Sequence, residues 1–264
     1  MTKTIGVIGL GSAGMRHAKN LLAMGHKVCG IDDDPKKELA FAQNGGSKLS
    51  LQWDGVVIAS PTKNHQQHMA LYNDIPCLVE KPISHNLGGV FEVIQHRPVM
   101  VGCNLRMHSC VKKAKEWLIE GRIGKPLWAN FFVCQHTERP TYLRDGVLLN
   151  WLSHEGDLAL YLLGPATVTA AYVREEVADL CLLHEYNVPS TIHGDYFTMP
   201  FRRGFVISGE SGILQANLEA RWATIYDRDN RMTHSTLASK AGSYDEEYKE
   251  EIAEFIAIIE GKRS

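Results

Sequence analysis

Thr4-Ile5-Gly6-Val7-Ile8-Gly9-Leu10-Gly11-Ser12-Ala13-Gly14 is the stretch from which the rest of the chain can be read. Residues 4–9 are apolar on both faces, as expected of a strand buried inside a parallel sheet. Residues 13–24 carry helical spacing, and Gly25 is placed to cap that helix. The turn between them reads GxGxxG. Gly9 permits a tight turn, Gly11 lets backbone approach a pyrophosphate, and Gly14 lets helix and sheet pack closely. The helix start at Ser12 and Ala13 offers N–H groups to phosphate. A second strand-like run, 26–32, ends in Asp32, 23 residues after Gly9. Strand, glycine turn, helix and following acid together make a dinucleotide fingerprint. Asp32 is expected to accept hydrogen bonds from ribose hydroxyls, which favours NAD over NADP, with Lys36 and Lys37 near enough to soften that preference. Asp33 and Asp34 read as turn and helix-capping residues.

Outward from this core, strand-like runs recur at 55–60, 76–80 and 98–102, and helix-like runs at 35–43, 64–73 and 85–96. Strict β-α alternation predicts an α/β fold with a doubly wound parallel sheet. Residues 45–53 are short of helix formers and read as a trimmed linker. A helix over 108–120 ends at Gly121, and after Gly124-Lys125-Pro126 the texture changes. A strand over 127–135 and a helix over 148–163 precede strand-like runs at 168–174, 180–185, 191–199, 204–208, 212–217 and 221–226. Strands without intervening helices predict a C-terminal α+β domain with a mainly antiparallel open sheet. The tail, 244–259, reads as a helix with apolar positions 248, 252, 255, 256 and 259 and a Glu-rich start that suits the helix dipole. The expected division is a nucleotide-binding domain over 1–122 and a substrate-binding and oligomerisation domain over 123–264.

Composition excludes several function classes. The chain has 264 residues, 44% hydrophobic and 22% charged, with net charge −2. That balance gives no electrostatic footprint for nucleic acid or an anionic membrane. Its longest apolar runs fall far short of the roughly 20 residues a bilayer span needs. No leader-like pattern precedes Thr4, and the six cysteines include no CxxC pair. Reduced thiols in the cytoplasm are therefore expected, with no disulfide framework and no metal site. His65 and His68, three apart, have no acidic or cysteine neighbour in sequence to complete a metal site.

Two further motifs carry chemistry. Glu80-Lys81-Pro82 ends the fourth strand, and ligands bind beyond the carboxyl ends of such strands. Pro82 restricts the backbone of Lys81, and a cis bond is open to it. Beside a cationic nicotinamide the Lys81 amine would lose proton affinity and could accept a hydroxyl proton. The bland alternative is a surface lysine before a turn. Asn150, His154 and Asp157 are spaced by four and three on one predicted helix, where histidine can shuttle protons near neutral pH. The bland alternative there is a satisfied core histidine.

Taken in order, these segments resemble the Gfo/Idh/MocA oxidoreductases (glucose–fructose oxidoreductase, inositol dehydrogenase and rhizopine-catabolism proteins). The resemblance runs through the glycine loop, Ser60-Pro61-Thr62 with His65, Glu80-Lys81-Pro82, and Val101-Gly102-Cys103-Asn104-Leu105-Arg106. It continues through Gly121-Arg122-Ile123-Gly124-Lys125-Pro126, Leu152-Ser153-His154-Glu155 with Asp157, and Gly209-Glu210-Ser211-Gly212. It implies a Rossmann domain, NAD(P), and hydride transfer to or from a sugar, nucleotide-sugar or cyclic polyol. It implies Lys81 and His154 as catalytic residues, and Asn104, Arg106 and Asn150 toward substrate. Ser60, Pro61, Thr62, His65, Glu80 and Lys81 join the glycine loop and Asp32 toward the cofactor. It also implies a homodimer or homotetramer built through the C-terminal sheet. Two departures stand out. Asn150 and Trp151 occupy positions where many members carry an acid, leaving Glu155 or Asp157 to supply that charge. The segment 135–145 is short where relatives carry a longer substrate loop. A nucleotide-binding sensor without turnover, or an NAD-dependent glycoside hydrolase on the same scaffold, are the alternatives.

Overall fold

The apolar runs of the first hundred residues become five parallel strands, β1 Thr4–Ile8, β2 Lys27–Ile31, β3 Gly55–Ile58, β4 Cys77–Glu80 and β5 Val99–Gly102. They lie in the order β2-β1-β3-β4-β5, and each neighbouring pair is parallel. The order reverses between β1 and β3, which opens a ligand crevice at their carboxyl ends. Helices α1 Ser12–Ala23, α2 Pro35–Gln43, α3 His65–Leu71 and α4 Val90–Ile94 connect the strands. The computed structural model describes residues 1–47, 52–137, 145–237 and 245–263. The linker reading over 45–53 and the loop reading over 135–145 therefore fall partly outside the described residues. Helix α4 is much shorter than the run 85–96 suggested, because Gly89 precedes it in a left-handed conformation (φ 75°). Gly6 is required in β1, since a Cβ there would run into the Trp53 ring.

The chain forms two units, Met1–Asn104 with Tyr244–Ser264, and Leu105–Ser243. This division differs from the sequence reading in two places. The C-terminal helix, Asp245–Ile259, belongs to the first unit: Ile252, Phe255 and Ile256 join Ile5, Val7, Leu21 and Val57 in one core. The helix at 109–119 belongs to the second unit, where Cys110, Val111, Ala114 and Trp117 are buried. In both cases an amphipathic stripe was legible but its partner was not. The other face of the parallel sheet buries Ile8, Val56, Ile58, Met69, Cys77 and Val79.

Along the C-terminal helix, Tyr248 meets His17 of α1 edge-on, with ring centroids 5.4 Å apart. Glu251 is fully buried, and among the described residues neither carboxyl oxygen has a hydrogen-bond partner. Burial, together with the Glu80 and Glu254 charges, pushes its pKa well above the carboxylate range. A folded-state pKa above the unfolded one gives stability that is present at low pH and lost as pH rises through the raised value. Glu251→Gln is therefore expected to melt with wild type near pH 4 but at progressively higher temperature than wild type as pH rises above the ordinary carboxylate range. Parallel melting curves at all pH values would contradict this.

The second unit holds α5 Ser109–Ile119, β6 Pro126–Cys134, α6 Ser153–Leu163, β7 Ala166–Val173, β8 Val177–His184 and β9 Val188–Asp195. It continues with β10 Arg202–Gly209, β11 Gly212–Asn217, β12 Trp222–Asp227 and β13 Met232–Leu237. Its sheet runs β13-β12-β11-β10-β6-β9-β8-β7. It is antiparallel except for the parallel pair β6 and β9. Alternate residues Ala129, Phe131 and Val133 of β6 join Leu158 and Ala159 of α6 in the core. Strand β13 has no apolar run and escaped the sequence reading. No helix among the described residues is long and apolar enough to cross a membrane.

Candidate active site

The first unit gathers one group of candidates at the carboxyl ends of its strands. Gly9 has φ +89°, and a Cβ there would sit 2.7 Å from the backbone of Ala59 and Ser60. A Cβ at Gly14 would collide with the Gly9 carbonyl, whereas one at Gly11 would meet nothing within 4 Å. The first and third glycines thus serve packing, and the second faces open space. Gly11 is the N-cap of α1 and supplies no side-chain cap, and the first N–H groups of such a helix have no intrahelical partner and suit an anion.

Asp32 is braced from three sides. Its Oδ2 accepts from the Leu10 N–H at 2.7 Å and its Oδ1 from the Asp34 N–H at 2.9 Å. The Lys37 ammonium lies 3.2 Å from Oδ1. Burial alone would raise this carboxyl, but the two N–H bonds and Lys37 outweigh it and lower its pKa. Asp34 caps α2 by accepting from the Lys36 N–H. Lys37, one of the two lysines flagged in the sequence, is therefore committed to Asp32, and its charge offsets part of the carboxylate's.

The β3 and β4 exits are tied together. His65 is 1% exposed; its Nε2 lies 2.7 Å from the Ser60 carbonyl oxygen and its Nδ1 3.0 Å from the Pro82 carbonyl oxygen. Ser60 Oγ and His68 Nδ1 are 2.8 Å apart. Pro61 caps the 3₁₀ turn that begins at Thr62. His65, expected toward the cofactor, is instead turned inward as a strap between loops, and neither His65 nor His68 belongs to a metal-ligand cluster among the described residues. Glu80 also turns inward: its Oε1 lies 2.8 Å from Nε2 of the fully buried His17. Its Oε2 accepts from the Lys81 N–H at 3.3 Å. Burial would raise the Glu80 carboxyl, but His17 and Lys81 bring it below the ordinary range. Lys81 leaves β4 through a cis bond to Pro82.

In the second unit the helical run begins with a π turn, Leu148–Leu152, followed by α6. A π turn widens the register, so Asn150 and His154 are not a simple i, i+4 pair. Asn150 Nδ2 donates to Tyr196 Oη at 3.3 Å, and Trp151 meets the Tyr196 ring edge-on at 4.4 Å. His154 lies in the first turn of α6. Both acids proposed to serve it are committed elsewhere. Glu155, 1% exposed, takes a two-point contact from Arg203 at 2.7 and 3.2 Å. Asp157 takes one from Arg106 at 2.9 and 2.5 Å. Arg106, expected toward substrate, is thus held by Asp157 and lies over the Tyr161 ring. Asn104 ends the first unit, 7% exposed, and its Oδ1 lacks a hydrogen-bond partner among the described residues.

An oxidoreductase family described by its NAD-binding Rossmann fold matches residues 3–98. Inositol 2-dehydrogenase 2 of Saccharopolyspora erythraea is 29% identical over 64% of this chain and 56% of its own length. Inositol 2-dehydrogenase of Acidiphilium cryptum is 25% identical over 97% of this chain and 85% of its own. The chain thus spans little more than half of the first relative. Over residues 3–98 the chain is similar to the Gfo/Idh/MocA oxidoreductase family. A levoglucosan dehydrogenase solved with NADH and levoglucosan shares the fold, with TM-score 0.85 at 18% identity, covering 99% of this chain and 91% of that one.

The stretch that matches the NAD-binding Rossmann model lies within the first unit, and its residues suit that cofactor. The open face at Gly11 admits a pyrophosphate, and the braced Asp32 presents acceptors for a ribose. One residue of this region was missed in the sequence. His17 lies one helical turn beyond Gly14, on the α1 face that meets the C-terminal helix, and holds Glu80 beside the Lys81 peptide. Its spacing from Gly14 was visible; its partner, 63 residues away, was not.

Proposed function

We propose that this protein moves a hydride between NAD and a hydroxyl-bearing carbon of a sugar or cyclic polyol, oxidising the alcohol or reducing the carbonyl. The observation that carries this is the Asp32–Gly11 cradle at the same sheet edge as Lys81. NAD, when bound, supplies the hydride acceptor or donor. Lys81 takes or returns the hydroxyl proton, and His154 is the second unit's proton carrier. Asn150 and Asn104 offer amide groups to substrate hydroxyls, while Arg106 acts through Asp157. Copies of the chain associate through the second unit's sheet as a dimer or tetramer, and the protein works in the cytoplasm, where reduced cysteines persist.

Calorimetric titration with NADH and NADPH in parallel tests the cradle. NADH is expected to bind at least about tenfold more tightly, or about 1.4 kcal/mol. The Lys37–Asp32 pair keeps the preference modest, so Lys37→Ala is expected to widen it. A turnover screen over inositols and free and nucleotide-linked sugars follows. Absence of binding to either nucleotide, in folded protein freed of copurified nucleotide, would overturn the proposal.

A further inference from the structure

One cluster lies wholly in the second unit, at the ends of β6 and β9 and next in sequence to Tyr196. Cys134 ends β6 and Asp195 ends β9, and the two are directly paired in the parallel register. His193 lies two residues before Asp195, on the same side of β9. One ligand atom from each of Cys134, His193 and Asp195 lies within 4.8 Å of the others. Cys134 and Asp195 are buried, and His193 is about one-third exposed. Their strand neighbours Val133 and Ile192 point into the helix-covered core, so the three ligands occupy the opposite face of the sheet.

We infer that Cys134, His193 and Asp195 form a binding site for a zinc-like divalent ion. The donor set is the first reason. Thiolate, imidazole and carboxylate are the groups zinc takes, and three protein ligands leave a fourth position for water. The surrounding groups are the second. The Asp179 carboxylate receives the other ring nitrogen of His193, Nδ1, at 2.7 Å. A carboxylate on that nitrogen holds the ring in place, so that Nε2 can offer its lone pair to a metal once its own proton leaves. Asp195 is held just as firmly. Its Oδ1 accepts from the N–H groups of Phe197 and Thr198 at 2.8 and 2.6 Å, which leaves Oδ2 for the ion. The Thr198 hydroxyl supports Oδ2 from the side at 2.9 Å.

Without an ion the cluster is closed by the contact between His193 and Asp195. His193 Nε2 and Asp195 Oδ2 are 2.9 Å apart and hydrogen-bonded. Bond lengths near 2.1 Å in a tetrahedron require about 3.4 Å between those atoms, an opening of about half an ångström. On binding, the ion accepts lone pairs from Nε2, Oδ2 and the Cys134 sulfur. The thiol proton and the proton between Nε2 and Oδ2 leave to solvent. No redox change is involved.

Untagged protein stripped with a chelator is titrated with zinc and, separately, with cobalt(II). The expected result is one ion per chain and a thiolate-to-cobalt charge-transfer band, with zinc displacing cobalt. Cys134→Ser is nearly isosteric and is expected to abolish the band while leaving NADH binding and circular dichroism unchanged. Asp179→Asn touches no ligand atom, yet is expected to weaken zinc about 10–100-fold, as loss of an outer-shell partner does. Failure to saturate below about 1 mM, about −4.1 kcal/mol, would overturn the site. So would a cobalt spectrum without a sulfur band, or affinities unchanged in both variants. Because NADH binding is read in the first unit, failure of this site and failure of the nucleotide cradle are separable results.

Discussion

Lys81→Ala is expected to reduce kcat about 10²–10⁴-fold, the usual contribution of a positioned acid–base group. The NADH dissociation constant should stay within about twofold, or about 0.4 kcal/mol, because the cradle is built from Gly11, the α1 start and Asp32. Retention of turnover within about threefold of wild type would remove Lys81 from the chemistry. The effect is large because so much structure fixes this one residue. Glu80 places one oxygen on His17 and the other on the Lys81 N–H, and His65 contacts the Pro82 carbonyl.

The second large effect is on stability. Arg203→Ala leaves Glu155, 1% exposed, as an uncompensated buried carboxylate. Removing one partner of such a pair costs about 3–5 kcal/mol. The second unit should therefore melt well below wild type, while NADH binding to the first persists at low temperature. The double variant Arg203→Leu with Glu155→Leu removes both charges and is expected to recover most of the loss. A single variant that melts with wild type would show that water reaches Glu155.

Much of the first unit was legible because its signals are local and steric. The three glycines sit where a Cβ would collide or block approach, and Asp32 lies at the end of a short apolar run. The switch from alternating elements to successive strands likewise announced a second sheet. What the sequence withheld are pairings across distance. Whether α5 and the C-terminal helix belong to one unit or the other depends on which core their stripes meet. Glu155 and Asp157 share a helix with His154, but Arg203 and Arg106 occupy them. The Cys134–His193–Asp195 cluster has no spacing signature, because its ligands come from two strands 59 residues apart in sequence that only the parallel β6–β9 pairing brings together.

The C-terminal helix sets an order for synthesis. Ile252, Phe255 and Ile256 cover a sheet face whose own strands are complete by Gly102. On the ribosome, the intervening Leu105–Ser243 unit emerges before that helix. At about 5–20 residues per second, the early sheet waits roughly 10–30 s for its final helix. Throughout that interval Ile5, Val7 and Leu21 lack their lid, so the nascent first unit is a natural client for chaperones that hold apolar surface.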